Sequence, residues 1–451
     1  MSTRVETGAV AVAAPRPLLR TWDVVSLLLG IVIGAGIFAV PSLVAANSAS
    51  PGAMLFAWLL GGLLSLAGAL CYAELASAYP HSGGEYHFLR LAFGDRLAFL
   101  FAWARLTVIP TGSIALLAYV FGDYAAQVYA PFGPASAPLF AAAVIVGLTA
   151  INALGLHSGK RTQNMLTLLQ VGGVVVLVVL GLAATPEATA VPSTPAPSAE
   201  TTRWGLVLIF VMLAFGGWNE AAYVSAETLG PGRNLPRALV VGFALITLLY
   251  LLLNLAYLRV LGLDGMAASP AVAADMMRVL TGGSGPVVVG GLIALAALAS
   301  VNATILMSAR TLYAFGGHTP AFAWLGRWNG RANAPVNALY AQALVALGLV
   351  ALGAWTRQGF ATMVEYTAPV FWLFFLLTGM ALFVLRIREP ARPRPFRVPW
   401  YPLTPLAFCA LCGYLLYASL DHTGIGALLG VGVLVTGALV MRLTGTGRAH
   451  P

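Results

Sequence analysis

The chain has 451 residues, of which 59% are hydrophobic and 9% are charged, and its mean hydropathy is +0.87. A soluble domain carries about 25% charged residues, so this composition excludes an ordinary soluble globular protein. The net charge of +9 could indicate a nucleic-acid binder, but the placement of the charges explains it better as membrane orientation. We expect an integral membrane protein with no nucleic-acid partner.

Apolar runs long enough to cross a bilayer core of about 30 Å as helices recur along the whole chain. They are continuous, whereas the strands of a transmembrane barrel are short and alternate in polarity. The runs predict an all-α protein with twelve transmembrane helices, over 22–46, 52–79, 97–121, 138–156, 163–184, 204–228, 236–258, 286–313, 335–355, 360–386, 402–420 and 424–442.

The first span follows a polar stretch over 1–21, which has no short apolar region with a cleavage site and predicts a flexible cytoplasmic tail. The span itself contains GIVIGAGIFAVP at 30–41, with three glycines and a terminal proline. Each glycine costs a helix interior about 1 kcal/mol relative to alanine. Close helix packing through small residues is one explanation, and a break in the helix is the other.

A break in a membrane helix has a chemical use. Backbone N–H and C=O groups in hydrocarbon all need partners, and an unwound turn frees several of them. The N–H groups from Gly34 to Ile37, at the start of the second half-helix, can hold a carboxylate with help from the helix dipole. The carbonyl groups beside them can hold an ammonium group, and glycine leaves the backbone open to a ligand.

Arg105 lies about 12 Å into the third span, at 1.5 Å per residue. A charge at such depth is a functional candidate by default. It either pairs with an acid on a neighbouring helix or extends its long stem toward the nearer interface.

The segment 185–203 is rich in Pro, Ala, Ser and Thr and predicts an external loop. It divides the chain into one five-helix unit over 22–184 and a second over 204–386. Two further helices and a cytoplasmic C-terminus follow within 387–451.

The first span of the second unit contains LAFGGWNE, Leu213 to Glu220. It runs opposite to the first span, because five spans separate their starts. Two glycine-interrupted helices at matching positions with opposite directions indicate an inverted repeat whose broken helices form a midplane binding site. Carbonyl groups near Phe215 complete a place for an ammonium group, so this site fits an α-amino acid.

Further polar side chains within the spans leave alternatives open. Glu220 lines the inner pathway, titrates during transport or is a paired structural acid. Ser300 and Thr304, one turn apart, either support a cation site with carbonyls of the first span or bond to their own backbone. Trp218 shapes the pocket or packs the break. No residue pattern predicts a metal site or a cofactor.

The positions of the basic residues set the orientation. If both termini are cytoplasmic, 19 of the 24 Arg and Lys residues fall on the inner side. This positive-inside bias predicts a multi-pass protein of the cell membrane with both termini in the cytoplasm. All three cysteines fall in spans, so no disulfide framework is expected.

These features resemble the amino acid–polyamine–organocation (APC) superfamily of permeases, and within it the L-type amino acid transporter family and its bacterial relatives. The resemblance covers nearly the whole chain after Thr21. It implies a leucine-transporter-like fold of a 5+5 inverted repeat with discontinuous helices 1 and 6, plus helices 11 and 12. The motifs that carry it are GIVIGAGIFAVP at 30–41, YAELASAYPHSGGEYHFLRLAFG at 72–94, FGGWNEAAYVSAETLGPGRNLPRALVVG at 215–242, SVNATILMSARTLYAFG at 300–316 and REPARPRPFRVPWYP at 388–402.

Carried over to this sequence, the resemblance places the substrate carboxylate at the glycines of the first break and the amino group at carbonyls of both breaks. The candidate substrate-binding residues are Ile31, Ile33, Gly34, Ala35, Gly36, Ile37, Phe215, Gly216, Gly217, Trp218 and Asn219. The candidates for gating or coupling are Arg105, Gln170, Leu213, Glu220, Ser300 and Thr304.

The sequence departs from the family at three places. Leu213 stands where many relatives carry a gating phenylalanine. Gln170 stands where many relatives carry a lysine, close to the sodium position of the fold's sodium-coupled members, and a glutamine cannot release a proton. The loop 122–137 has no cysteine, so no disulfide-linked heavy chain is expected.

The preferred function is secondary active transport of neutral L-amino acids, by exchange or proton symport, across the lipid bilayer. Protons or a counter-transported amino acid are then the further partners. A polyamine or cationic amino acid permease of the same fold is the alternative. A membrane enzyme is disfavoured because the sequence contains neither H-E-x-x-H nor G-x-S-x-G, and a channel because it has no filter motif.

Overall fold

The computed structural model describes residues 15–184, 201–355 and 368–445. The remaining parts of the predicted tail, of the 185–203 loop and of the tenth span lie outside the described residues. Within the described ranges the chain is almost entirely helical. Its α-helices are α1 (Thr21–Val32), α2 (Gly36–Ala46), α3 (Pro51–Ala78), α4 (Glu85–Phe93), α5 (Asp95–Thr107), α6 (Ile109–Val128), α7 (Ser136–Ala153), α8 (Leu156–Ala183), α9 (Trp204–Ala214), α10 (Pro231–Ala268), α11 (Val272–Thr281), α12 (Gly285–His318), α13 (Val336–Trp355), α14 (Ala368–Arg388), α15 (Leu403–Thr423) and α16 (Ala427–Leu443).

In the described part of the chain, eleven helical stretches are long and apolar enough to cross a bilayer, and the bent pair α1–α2 makes a twelfth. The twelve predicted spans are thereby confirmed. Several extend beyond the predicted bounds, since the third runs over Asp95–Val128 and the seventh over Pro231–Ala268. The protein is a multi-pass membrane protein with the predicted leucine-transporter-like architecture.

Both predicted breaks are present. Helix α1 ends at Val32, α2 begins at Gly36, and the two axes differ by 54°. In the sixth span, α9 ends at Ala214 and a 3₁₀ segment over Trp218–Glu227 replaces the α-helix. Gly217 between them has φ of +97°, where a side chain with a Cβ costs about 1–2 kcal/mol.

Helices of the two repeats pack against one another around these breaks. Helix α1 lies against α8, α10 and α12, while α3 packs along α10 and the 218–227 segment. The two last helices lie at the edge of the bundle, and α16 buries little besides Gly430 and Gly437. The breaks are therefore surrounded by other helices, and freed backbone groups are tolerated in a membrane protein where they are buried in protein.

One end of the bundle is closed by contacts between distant segments. The backbone N–H groups of Leu18 and Leu19 both donate to the carbonyl of Glu227 at 2.8 Å, and the N–H of Leu229 donates to the carbonyl of Leu19 at 2.9 Å. This end, called the N-terminal face below, comprises residues 15–20, 79–94, 155–160, 227–233, 318–335 and 386–402.

Candidate functional site

The two helix breaks face each other across a narrow gap. A Cβ atom added at Gly217 would lie 3.1 Å from Cγ1 of Ile31, and one added at Gly36 would lie 3.5 Å from Cα of Ala214. The fold thus brings the glycines of the first and sixth spans together, as the repeat pattern predicts. The same contact shows why residue 217 needs to be glycine for space as well as for φ.

Gly30 and Gly34 serve close packing. A Cβ atom at Gly30 would overlap the amide of Gln163, and one at Gly34 would lie 3.3 Å from Oγ of Ser300. Small-residue packing and a helix break, the two explanations of the sequence motif, therefore both apply, at different glycines.

The start of α2 presents unpaired backbone donors. The N–H groups of Ala35, Gly36 and Ile37 have no hydrogen-bond partner among the described residues. The expectation that Gly34 offers a further free N–H is not met, because that group donates to the carbonyl of Val32 at 2.8 Å. Three donors at the positive end of a helix remain to face an anion.

The carbonyl groups at the breaks divide into paired and unpaired. The carbonyl of Ile33 accepts a hydrogen bond from Nε2 of Gln170, so this predicted ligand of an amino group is already in use. The carbonyls of Ile31 and Phe215 accept no hydrogen bond from the part of the chain that the structure describes. Two of the three predicted acceptors are therefore available to a cationic group.

Tyr250, on α10, joins the two breaks and was missed by the sequence analysis. Its hydroxyl lies 2.8 Å from the carbonyl oxygen of Val32 and 3.1 Å from that of Ala214. It also packs its ring against Phe215, with centroids 4.9 Å apart. Tyr250 is one of two tyrosines in the apolar helix α10, together with Tyr257, and a hydroxyl within such a helix is the signal that sequence reasoning could have used.

Ser300 and Thr304 have different roles. The hydroxyl of Ser300 donates to the carbonyl of Gly30 at 2.9 Å, whereas that of Thr304 donates to the carbonyl of Ser300 at 2.8 Å within its own helix. Of the two sequence-based alternatives, Thr304 follows the backbone-bonded one and Ser300 links α12 to α1.

The residues near the sixth-span break differ in burial. Trp218 is buried, with its ring 5.1 Å from that of Tyr72 and 5.4 Å from that of Phe375, so it packs the break. Leu213, the candidate gate, has 67% of its surface exposed. Gly216, between the two, is partly exposed.

Arg105 pairs with an acid instead of extending to the interface. Its Nη2 atom lies 2.8 Å from both carboxylate oxygens of Glu220, and its Nη1 atom lies 3.8 Å from Glu85. The side chains of Arg105 and Glu85 are each 1% exposed, and that of Glu220 is 8% exposed. We call Arg105, Glu85 and Glu220 together the buried acid cluster.

Glu85 is the main functional candidate that sequence reasoning missed. The hydroxyls of Tyr72 and Tyr223 both donate to its carboxylate, and Nδ2 of Asn219 donates to it at 3.2 Å. Asn219, predicted as a substrate ligand, therefore contacts an acid instead of the break. The available signal was the acid that follows two glycines in the SGGEY run.

Ion pairs hold the N-terminal face shut. Arg310 pairs with the buried Glu227, and Arg386 lies 2.5 Å from Glu74. Lys160 lies 3.1 Å from Asp23. Each pair joins helices that are distant in sequence, so opening this face would separate charges.

Two histidines stack on the same face. The rings of His81 and His87 are parallel, with centroids 4.1 Å apart. Burial lowers the pKa of His81 to about 4 and the pKa of His87 to about 3. Both are thus neutral near pH 7. Among the described residues no three His, Cys, Asp or Glu side chains are arranged to hold a metal ion.

Comparisons with known proteins find a family model and several relatives. A family model described as amino acid permease matches residues 19–438. The b(0,+)-type amino acid transporter 1 of Mus musculus is 32% identical over 384 residues, which are 84% of this chain and 77% of that protein. The large neutral amino acids transporter small subunit 2 of Mus musculus is 29% identical over 425 residues, which are 92% of this chain and 78% of that protein.

Proposed function

Since the chain belongs to the amino acid permease family of the APC superfamily, we propose that it is a secondary active transporter that carries amino acids across the cell membrane by alternating access. The observation that carries the proposal is that backbone donors and backbone acceptors without hydrogen-bond partners lie at the same gap. The donors are the N–H groups of Ala35, Gly36 and Ile37, and the acceptors are the carbonyls of Ile31 and Phe215.

An α-amino acid matches this arrangement group by group. Its carboxylate binds the three N–H groups and the dipole of α2. Its ammonium group binds the two carbonyl oxygens. Gly34 contributes by forming the tight turn before these donors, and Gly216 and Gly217 keep the opposite side of the gap free of side chains.

Neutral L-amino acids are the proposed substrates. The gap residues at both breaks carry no acidic side chain that could hold a second cationic group. One relative is named for large neutral amino acids. Cationic amino acids or polyamines are the alternative, and a competition panel of all common amino acids and polyamines distinguishes them.

The proposed transport requires no sodium ion. Carbonyl oxygens freed near the first break are the natural ligands of a hard cation. Here Gln170 donates to the carbonyl of Ile33 and Ser300 donates to that of Gly30. Neutral hydrogen-bond donors thus already satisfy the carbonyl oxygens that a cation would otherwise bind.

The N-terminal face is proposed to be cytoplasmic. The loops predicted as cytoplasmic from their arginines, such as 79–96 and 386–402, belong to it. In the structure this face is closed by backbone hydrogen bonds and ion pairs. We interpret the conformation as one in which the site is reached from the external side.

Uptake into proteoliposomes tests the function. The purified chain should give saturable uptake of a tritiated mixture of L-amino acids, with trans-stimulation by unlabelled amino acids inside. Saturable uptake of this kind is not expected of a channel. Absence of both binding and uptake for every amino acid would contradict the proposal.

A valine at residue 36 tests the site. The Cβ atom fits, because it meets Ala214 Cα at 3.5 Å, but the two methyl groups project into the gap. Gly36→Val should leave the protein inserted and folded but abolish amino acid binding. Gly172→Val is the matched control, since a Cβ there meets nothing within 4 Å. Retained binding in Gly36→Val would show that the motif serves packing alone.

A further inference from the structure

We propose that Glu85 and Glu220 form a proton-binding site that shares Arg105 as its cation and couples amino acid movement to proton movement. The inference rests on the proposed transport function and adds its coupling ion. The carrying observation is a buried cluster of two carboxyl groups around one guanidinium, next to the sixth-span break.

The charge balance of the cluster favours one proton. With all three groups ionised the cluster carries one net negative charge in a water-excluded place, which is strongly unfavourable. Binding one proton to a carboxylate oxygen makes it neutral. Because the two acids share Arg105, the proton belongs to the pair and not to one residue.

Other charged groups nearby are already engaged. On α12, Arg310 is bound to Glu227, and on α14, Arg386 is bound to Glu74 of α3. Arg310 cannot compensate the second carboxylate without leaving Glu227 unpaired, and Arg386 is held by Glu74, which Arg394 also contacts at 3.5 Å. Among the described residues, Arg105 is therefore the cation of this cluster.

The groups facing the cluster come from every element around it, and most are neutral at pH 7. Helices α3 and α14 contribute hydroxyl-bearing and charged neighbours, α15 contributes a thiol, and the stacked histidines lie on the loop and helix that carry Glu85. The titratable and polar groups are Tyr72 and Glu74 from α3, His81 and His87 from 79–94, Asn219, Tyr223 and Glu227 from the 218–227 segment, Arg310 from α12, Thr378 and Arg386 from α14, and Cys412 from α15.

Hydrogen bonds keep the site sensitive to conformation. Tyr72 and Tyr223 both donate to Glu85, and Asn219 donates at 3.2 Å, so three different donors stabilise it when it is ionised. These donors sit on α3 and on the 218–227 segment. Any movement between those elements changes how well the carboxylate of Glu85 is hydrogen-bonded.

The position of Glu220 links proton binding to the substrate. It lies three residues after Gly217, on the short segment that continues from the break. Opening the N-terminal face moves this segment away from 79–84, which it holds through Ser225 and His81. Water then reaches the cluster and stabilises the ionised acids, so the proton is released on that side together with the substrate.

The test uses the full chain in proteoliposomes with a pH-sensitive dye inside and an acidic exterior. A tritiated mixture of the common L-amino acids is the substrate probe. In the wild type, addition of the mixture should acidify the interior, and the amino acids should accumulate. Glu85→Gln and Glu220→Gln should lose both signals while keeping amino acid exchange without a pH gradient.

Two further variants separate coupling from structure. Glu220→Asp, which keeps the carboxyl group, should restore part of the proton entry. Asp95→Asn removes an acid that pairs with Arg90 at 2.6 Å at the surface and should behave as the wild type. Equal loss of exchange and proton entry in the glutamine variants would assign the cluster a structural role and overturn the inference.

The remaining outcomes are also distinct. Wild-type exchange without substrate-driven proton entry would overturn this inference but leave the transporter proposal intact. Retained proton entry in both glutamine variants would place the proton site elsewhere. Absence of exchange in the wild type would contradict the proposed function itself.

Discussion

Gln170 is a neutral side chain that contacts the backbone of the first break, so it bears on whether a bound cation is needed there. Its amide donates to the carbonyl of Ile33, while its own Oε1 atom has no partner among the described residues. The amide is fully buried. A buried carbonyl left without a donor costs about 1–3 kcal/mol, so this one bond stabilises the unwound turn appreciably.

Gln170→Leu should lower the melting temperature in detergent, because it removes the donor to Ile33 and keeps a similar volume. We expect a loss of about 1–3 kcal/mol of stability. Gln127→Leu, at an exposed position near the C-terminal end of α6, is the control. Equal melting temperatures for the two variants would contradict this role. Wild-type uptake should also be unchanged when sodium is replaced by choline.

Residue roles were predictable where the signal is local. The glycine runs at 30–36 and at 216–217 predicted both breaks, because a break depends on neighbouring residues. The partner of Arg105 was not predictable, since Glu85 and Glu220 are brought to it by tertiary packing over long sequence distances. Gly34 was assigned a free N–H, but the tight turn to Val32 uses that group.

At the scale of elements, the short helix α4 and the loop before it are more important than their length suggests. In the sequence, residues 79–94 follow the second predicted span and precede the third, as a connection between spans. The structure places Glu85 at its start and stacks His81 on His87 beside it. His81 also donates its backbone N–H to Oγ of Ser225 at 3.3 Å, so the loop is fastened to the segment that follows the second break.

The stacked histidines predict a pH dependence of stability. The pKa of His81 is lowered from 6.5 to about 4 by burial, and that of His87 is lowered to about 3. Below pH 6.5 the unfolded chain binds protons that the folded chain does not, so stability falls as pH falls toward 4. The loss approaches about 3 kcal/mol for His81 alone.

Melting curves between neutral and acidic pH check this expectation. His87→Phe keeps an aromatic ring against His81 and removes one titrating group, so its melting temperature should fall less steeply with pH. His157→Phe, an exposed position on α8, is the control and should follow the wild type. Identical pH slopes for all three proteins would rule out the histidine pair as the cause.

At the scale of the whole molecule, hydropathy alone predicted the twelve spans and their order. The crossing of the two broken helices followed from the repeat. What could not be predicted is which end is closed, because that depends on contacts such as Glu227 with Arg310 and Glu74 with Arg386. These partners are separated by whole helices and leave no pattern in the sequence.

Alternating access requires that these contacts break together. Residues 15–20 lie across the N-terminal face, where Leu19 is fully buried and Arg16 donates its N–H to Asn333 at 3.1 Å. Residues 15–20, which we call the N-terminal strap, thus join the first span to the 227–229 segment and to the 318–335 connection. The strap stabilises the closed state without touching the substrate site, so its removal should shift the population toward the open state.

Truncation tests the strap. Removing residues 1–19 should expose a cysteine placed at Ser225, which is fully buried in the closed face, and should raise its rate of maleimide labelling in membranes. Removing residues 1–14 leaves the strap contacts of Arg16 and Leu19 in place and should not change labelling. Added amino acid mixture should alter the rate in the wild type but less in the longer truncation, which already favours the open state. Equal labelling in both truncations would mean that the ion pairs alone hold the face closed.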